Sequence, residues 1–528
     1  MRRTRLLALT GLLLVPALAG GFIFQDRVTR DGAVLFDQVL TLVSQRFVDT
    51  VDAGALYEKA ARGLLDELKD PYSELYSPEQ LKQFEQNTGG RYGGLGMQIE
   101  LVPNRGVTVS KVFPNTPAEQ SGIIEGDIIV QIDDSLNARE WSSERVSQTL
   151  TGEPGTQVKV GFARQGVPQP IQVNFTRAVI HIPAVPYALK LDDRVGYVRL
   201  QGFNETAAEE VATSIKALTD QGATGILLDL RGNPGGFLQQ ALAISNLFLP
   251  QGKEIASVRG RGTPPELYVA RERPIAPEVP LVILIDQGSA SASEIVAGAL
   301  QDHDRAVIVG ETSFGKGLVQ TLFPLDGGYA VKLTTAKWFT PVGRSIQKER
   351  ELTSDGRWVE IYPDTLPADS LRKIRPVYRS NSGRVVYGGG AITPDEVVPS
   401  DTLSTPEQTL GRALAPASQD FFQAIAQIAY ERKDRATADA PVTAELREEL
   451  YNRLRERDVT VDREVWQGGA SYVDRLLQRE IVRRIGGDSA MFRLQAPEDV
   501  QLQRAADYLR RGSTQGELFA LVPARSGS

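Results

Sequence analysis

The chain of 528 residues has no cysteine and only two histidines, His181 and His303. The first absence excludes disulfides, thiolate metal sites, a cysteine nucleophile and a lipidated cysteine anchor. The second makes a multi-histidine metal site unexpected and leaves few candidates for an imidazole base. A strong charge imbalance is lacking too, since 59 basic and 66 acidic residues give a net charge of −7. No long basic block follows the N-terminus, so nucleic acid is not an expected partner. No metal and no cofactor are expected. Hydrophobic residues at 41% and charged residues at 24% suit a soluble globular chain, and the length suits about three domains.

The N-terminus carries the exception. MRRTR supplies three arginines, and residues 6–24, LLALTGLLLVPALAGGFIF, follow without a charge. A basic start before an apolar stretch reads as an export signal, and Ala17-Leu18-Ala19 offers a cleavage site. The stretch could instead stay as an anchor, because about 20 apolar residues span a bilayer. Residues 1–25 are therefore expected to be a signal peptide or membrane anchor, with the body working outside the cytoplasm.

Four regions follow. Residues 33–88 carry apolar positions at three- and four-residue spacing, a helical pattern that breaks at Pro71 and restarts with Ser77 as N-cap and Pro78. Residues 91–178 are short β-like runs joined by glycine turns, one small β-rich domain. In residues 179–402 apolar runs (VGYVRLQGF, TGILLDL, LVILID, AVIVGE) alternate with helical patterns, which implies a largely parallel sheet covered by helices. Residues 403–528 are amphipathic, highly charged helices, either a domain of their own or helices laid on the core.

Chemistry concentrates in three stretches of the alternating region. GSASASEIVAGAL follows LVILID, and Ser291 opens the helix, at the sheet edge where α/β proteins place their sites. The N–H of Ala292 then lies at a helix N-terminus, suited to a developing oxyanion. A plainer alternative is a capping box, with Ser291 as N-cap and Glu294 reaching back. In GETSFGKGLVQ, Lys316 lies between two glycines. It is either a loop lysine reaching solvent or a buried neutral base. The base would need its pKa brought from near 10.4 to about 7 or 8, or about 4 kcal/mol of differential interaction, which desolvation can supply. If 317–322 is a strand, positions 316, 318 and 320 share a face, so Gln320 could orient the amine without adding a charge. In LLDLRGNPGGFL, Gly235 and Gly236 make either a tight turn or a second oxyanion donor. His303 lies twelve residues after Ser291, past the helix and about 18 Å away, so a triad built on it is not expected. Ser–Lys pairs follow the same logic without histidine.

SASASEIVAGALQD, TSFGKGLVQ, LDLRGNPGG and FTPVGRSIQ together resemble the carboxyl-terminal processing peptidases, the tail-specific proteases of serine peptidase family S41. LKDPYSELYSPEQ and GGGAITPDEVV fit as well, so the resemblance spans about residues 33–400. It implies a ClpP/crotonase-like α/β catalytic core with an inserted PDZ β-domain, an N-terminal helical segment and a C-terminal helical extension. It implies Ser291 as nucleophile, Lys316 as base 25 residues on, and Gln320 supporting the lysine. The oxyanion donors would be Ala292 and a glycine of NPGG, Gly235 or Gly236. Some members have an acidic third member, which Asp302 would match, although its charge would oppose a neutral lysine. In the PDZ segment, Gly94, Leu95, Gly96 and Met97 match the loop that receives a chain-terminal carboxylate while the peptide adds a strand. The region after about 405 matches nothing in minimal members.

The expected activity is that of a serine endopeptidase cutting exported proteins near their C-termini or in unfolded segments, in the bacterial periplasm or cell envelope. Polypeptide substrates are the expected partners; an activating or adaptor protein, an inner-membrane tether and a homo-oligomer stay open. A catalytically silent PDZ scaffold is the alternative, weakened by the intact Ser, Lys and Gln. Acyl-CoA chemistry is a third reading, weakened by the export signal and the PDZ segment.

Overall fold

The structure is a computed structural model. It describes residues 31–523 apart from 103–104, 135–137, 165, 354–357, 362–373, 433–436 and 438–440. The expected signal or anchor lies outside the described residues. Among those described, no helix is long and apolar enough to cross a membrane. The chain divides into two compact units, residues 1–81 with 320–334, and residues 82–319 with 335–528.

In the smaller unit, helical residues 31–46 precede the helix Ala53–Asp66. Asp52 caps the second helix by accepting from the N–H groups of Gly54 and Ala55. A strand absent from the sequence reading, Glu74–Tyr76, pairs antiparallel with Ala330–Lys332. It is only three residues long, too short for periodicity to reveal. Arg62 fastens it by donating to the Leu75 carbonyl at 2.9 Å.

The larger unit is organised by a six-stranded sheet. Its spatial order is Glu396–Val397, Val307–Gly310, Leu281–Ile285, Gly225–Asp229, Val195–Arg199 and Ala188–Lys190. All neighbours run parallel except the last pair. The strands Val307–Gly310, Leu281–Ile285 and Gly225–Asp229 are buried at every position because both faces are covered. Helices Ala207–Asp220, Leu238–Asn246 and Ala292–Asp302 cover one face with Val211, Ile215, Ile244 and Val296. The other face is closed by the C-terminal helix Val500–Arg511, through Leu502, Ala505 and Leu509. The last helices are thus part of the core. Upstream, Leu410, Ile428, Leu450, Trp466 and Leu477 form a separate apolar cluster, so residues 405–481 also have a core of their own.

The β-rich segment is a five-stranded antiparallel sheet of Met97–Val102, Gly106–Val112, Ile128–Ile132, Gln157–Ala163 and Ile171–Thr176 in that spatial order. A two-stranded ribbon, Arg91–Gly94 against Ala178–His181, carries the chain into it and out again.

Candidate active site

Two turns at the C-terminal ends of adjacent parallel strands are stapled together. The first follows Gly225–Asp229 and contains residues 230–236. The second follows Leu281–Ile285 and ends at Ser291. Ser289 Oγ donates to the Leu230 carbonyl at 2.8 Å, and Ser293 Oγ to the Asn233 carbonyl at 3.0 Å. Ala290 N–H reaches the same Asn233 carbonyl at 3.0 Å, and Gly232 N–H reaches Asp286 at 2.7 Å. The two flanking serines are therefore fully buried cross-links to a segment about 60 residues earlier.

Ser291 stands apart from both. Its backbone has φ 55° and ψ −110°, a region that L-residues avoid and that costs about 1–3 kcal/mol. It opens the helix Ala292–Asp302, and the reciprocal arm of the capping box is formed, with Glu294 accepting the Ser291 N–H at 2.8 Å. Glu294 does more than cap. Its carboxylate also accepts from Ser313 Oγ at 2.6 Å, Gly315 N–H at 2.7 Å and Lys316 N–H at 2.8 Å. One oxygen, Oε2, holds the amides of both Ser291 and Lys316. The residue is fully buried, which raises its pKa, while these four donors pull it down. Sequence reasoning found the cap and missed the bridge, because the lysine arm lies some 20 residues downstream and no local pattern announces it.

The lysine loop is held from its far side as well. Gly317 N–H donates to Gln347 Oε1 at 3.0 Å, Trp338 N–H to the Gly317 carbonyl at 2.7 Å, and Lys348 N–H to the Gly315 carbonyl at 3.1 Å. A Cβ on Gly317 would lie 2.2 Å from the Gln347 nitrogen, so the glycine allows this close approach. Lys316 is half-buried, just before the strand Leu318–Pro324. Gln320, in the smaller unit, donates to Thr334 Oγ1 at 3.4 Å.

Of the two oxyanion glycines, Gly235 is the one pressed on the serine. A Cβ there would lie 2.8 Å from the Ala290 carbonyl and 2.9 Å from Ser291 Cβ, at φ +98°. Its own N–H, however, is taken by Asn233 Oδ1 at 2.9 Å. The N–H groups of Gly236 and Ala292 have no hydrogen-bond partner among the described residues. Two donors are thus left at the turn, and Gly235 shapes it.

Asp302 is not brought to Ser291. It ends the same eleven-residue helix, about 15 Å along. It is paired with the buried Arg344 and accepts from Val342 N–H at 3.1 Å. His303 caps that end; its ring nitrogens lie 2.6 Å from the Glu254 carbonyl oxygen and 2.7 Å from Asn381 Nδ2. Burial lowers its pKa.

In the β-rich domain, Met97–Val102 is an edge strand packed beside the helix Ser143–Leu150. Gly96, at φ +83°, turns tightly over Thr116. The Leu95 and Gly96 carbonyls are held from behind by the N–H groups of Ala118 and Phe113, each at 2.9 Å. The N–H groups of Leu95 and Gly96 have no partner among the described residues. An extended peptide could therefore add at this edge and end on those amides.

Comparison with known proteins agrees with this architecture. Residues 194–357 match the model of peptidase family S41, residues 93–175 that of the PDZ domain, and residues 29–79 that of the activating protease CtpB N-terminal domain. The carboxy-terminal-processing protease of Bartonella bacilliformis is 39% identical over 317 residues, 59% of this chain and 72% of its own. The carboxyl-terminal-processing protease of Picosynechococcus sp. is 36% identical over 371 residues, 66% of this chain and 89% of its own. The solved photosystem II D1 C-terminal processing protease is 30% identical, covering 63% of this chain and 92% of that one with a TM-score of 0.34. The chain therefore belongs to the carboxyl-terminal processing proteases, serine-type peptidases of family S41 with a PDZ domain.

Proposed function

We propose that Ser291 is the nucleophile and Lys316 its general base. The neutral amine takes the hydroxyl proton as Ser291 Oγ attacks the scissile carbonyl. The oxyanion is held by the Ala292 and Gly236 N–H groups, and the ammonium returns its proton to the leaving amine. Water, deprotonated by Lys316, then hydrolyses the acyl-enzyme. Gln320 is assigned to the lysine by its spacing in the sequence. The observation that carries this reading is the Glu294 carboxylate, whose Oε2 lies 2.8 Å from the backbone nitrogens of both Ser291 and Lys316.

The PDZ edge captures a chain ending in a free carboxylate, so the substrates are polypeptides cut near their C-termini or in unfolded segments. The basic and apolar N-terminus supports action beyond the cytoplasm, in a bacterial envelope. Fractionation with N-terminal sequencing tests that location; a protein confined to the cytoplasm refutes it.

Digestion of casein by the unaltered chain, Ser291→Ala and Lys316→Ala tests the dyad. Both variants should lose at least about 10³-fold in kcat. Retained cleavage by either one refutes the assignment. The rate should fall in acid as Lys316 is protonated, and a profile flat into acid would remove Lys316 as base.

A further inference from the structure

The PDZ domain is held at two places within the larger unit. One is the ribbon described above. The other is the helix Ala470–Gln495, which belongs to the C-terminal region and pairs with Glu125 and Lys111 of the PDZ domain, residues outside that domain's apolar core. Along the edge strand, Met97 and Ile99 face that core. Glu100 and Val102 instead line a cavity whose opposite wall includes Tyr430 and Arg484. Any peptide added to this strand therefore bears on an element that the C-terminal helices also touch.

The contacts are specific. Arg484, only 7% exposed, pairs with Glu125 of the PDZ domain and with Glu480 of its own helix at 2.9 Å. Four residues on, Asp488 pairs with Lys111 of the PDZ domain at 2.6 Å. A Cβ at Gly126 would lie 3.2 Å from the Tyr430 ring, so the two surfaces are in close contact. Between the two ionic pairs the helix is broken. Gly487 has φ 70° and ψ −169°, a conformation open essentially to glycine alone.

Beyond the break the same helix runs to the catalytic sheet. Phe492 stacks on Tyr197 with ring centroids 4.3 Å apart. The Tyr197 hydroxyl donates to Asp229 at 2.8 Å, and Asp229 pairs with Arg231 at 2.7 Å. Arg231 lies in the turn that ends in Gly235 and Gly236, and it also pairs with Asp499 at 2.8 Å, just past the helix. A continuous path of packed rings and buried charge thus joins the PDZ surface to the oxyanion turn, with a glycine break along it.

We propose that helix Ala470–Gln495 is a strap coupling the PDZ domain to the oxyanion turn, with Gly487 as its hinge and the Glu125–Arg484 and Lys111–Asp488 pairs as its latch. The proposal rests on the reading of the 94–97 edge as a peptide site and of Gly235–Gly236 as the oxyanion turn. Peptide added to the edge strand shifts the latch, the latch moves the strap about Gly487, and the Phe492–Tyr197–Asp229 contacts change the order of residues 228–236. Coupling of this kind is reciprocal and worth about 5- to 150-fold in affinity.

Hydrogen exchange of the full chain tests it, in a Ser291→Ala background so that no peptide is consumed. The parent is compared with Arg484→Glu, with Lys111→Glu and with the swapped pair Glu125→Arg/Arg484→Glu. Each is measured alone, with a peptide ending in a free carboxylate, and with its amidated form. Both single charge reversals should raise exchange about 5-fold or more in residues 488–495 and 228–236, and the swapped pair should restore it. The free-carboxylate peptide should alter exchange at 228–236 in the parent and leave it unaltered in Arg484→Glu. Unchanged exchange in the helix Ala292–Asp302 marks the variants as folded. If residues 228–236 exchange alike in the parent and both single variants, the strap is overturned. If the peptide fails to protect Met97–Val102 in the parent, the capture reading falls instead, while the variants measured alone still decide the strap.

Discussion

The two ends of helix Ala292–Asp302 each carry a fully buried carboxylate and use it in opposite ways. At the N-terminus Glu294 meets neutral donors, three amides and a hydroxyl, and burial raises its pKa. At the C-terminus Asp302 meets the guanidinium of Arg344, itself buried. The first arrangement spreads one charge over four small groups and fixes the path of two loops. The second neutralises a charge within the core. A carboxylate holding amides can position a serine and a lysine loop without pairing with a cation of its own. The difference separates positioning from stability within eleven residues of chain.

Substitutions can break that comparison. Glu294→Ala would leave four donors without their acceptor, two of them buried, and release both loops, and kcat should fall by about 10²-fold or more. The pH profile of the residual activity should shift if the lysine loop is freed. An unchanged kcat would show that Glu294 only caps the helix. Gly235→Ala adds a Cβ against Ser291 at φ +98°, and a kcat loss of about 10- to 100-fold is expected with KM little altered. Asp302→Ala should act on the other quantity. It strands Arg344 and should cost about 3–5 kcal/mol in urea unfolding, while the folded fraction keeps its turnover within about twofold. If turnover collapses in fully folded protein, Asp302 belongs to the chemistry after all.

Acid sharpens the contrast. Burial alone would raise Asp229, but Arg231 and Arg199 hold it down at about 2. Its folded value is thus below its unfolded one, so its stabilisation is present above about pH 4 and lost as pH falls towards 2. The stability gap between the unaltered chain and Asp229→Asn should narrow over that window, as equilibrium unfolding would report. The smallest effect is expected from His303→Gln, which should leave kcat within about twofold. A loss of several orders of magnitude would return an imidazole to the mechanism.

Much of this was legible in order along the chain. Continuous apolar runs marked the parallel strands, and Ser291-Ala292-Ser293-Glu294 marked a helix start with its cap. The spacing of His303 from Ser291 argues against a histidine base, and the structure places it at the opposite helix end. What stayed hidden is what depends on distant partners. Ser289 and Ser293 look alike in sequence and look local, yet each bonds a carbonyl about 60 residues away. Arg344 lies in FTPVGRSIQ, a stretch that carries the family resemblance without announcing a partner, and only the fold supplies Asp302. Gly235 and Gly236 are equivalent in sequence, but the Asn233 side chain claims one N–H and leaves the other. For the last helices the pattern left open a domain of their own or helices laid on the core, because their charges dominate it; Leu502, Ala505 and Leu509 close the sheet.

The ribbon that carries the PDZ domain has a practical consequence. Gly94 and Ala178 face each other across it as paired residues. Everything between them leaves and re-enters the peptidase at essentially one point, as a plug does in a socket. A foreign binding module with closely spaced ends could replace residues 95–177 without cutting the catalytic sheet. The protease could then be redirected to a new class of tail by exchanging one cassette.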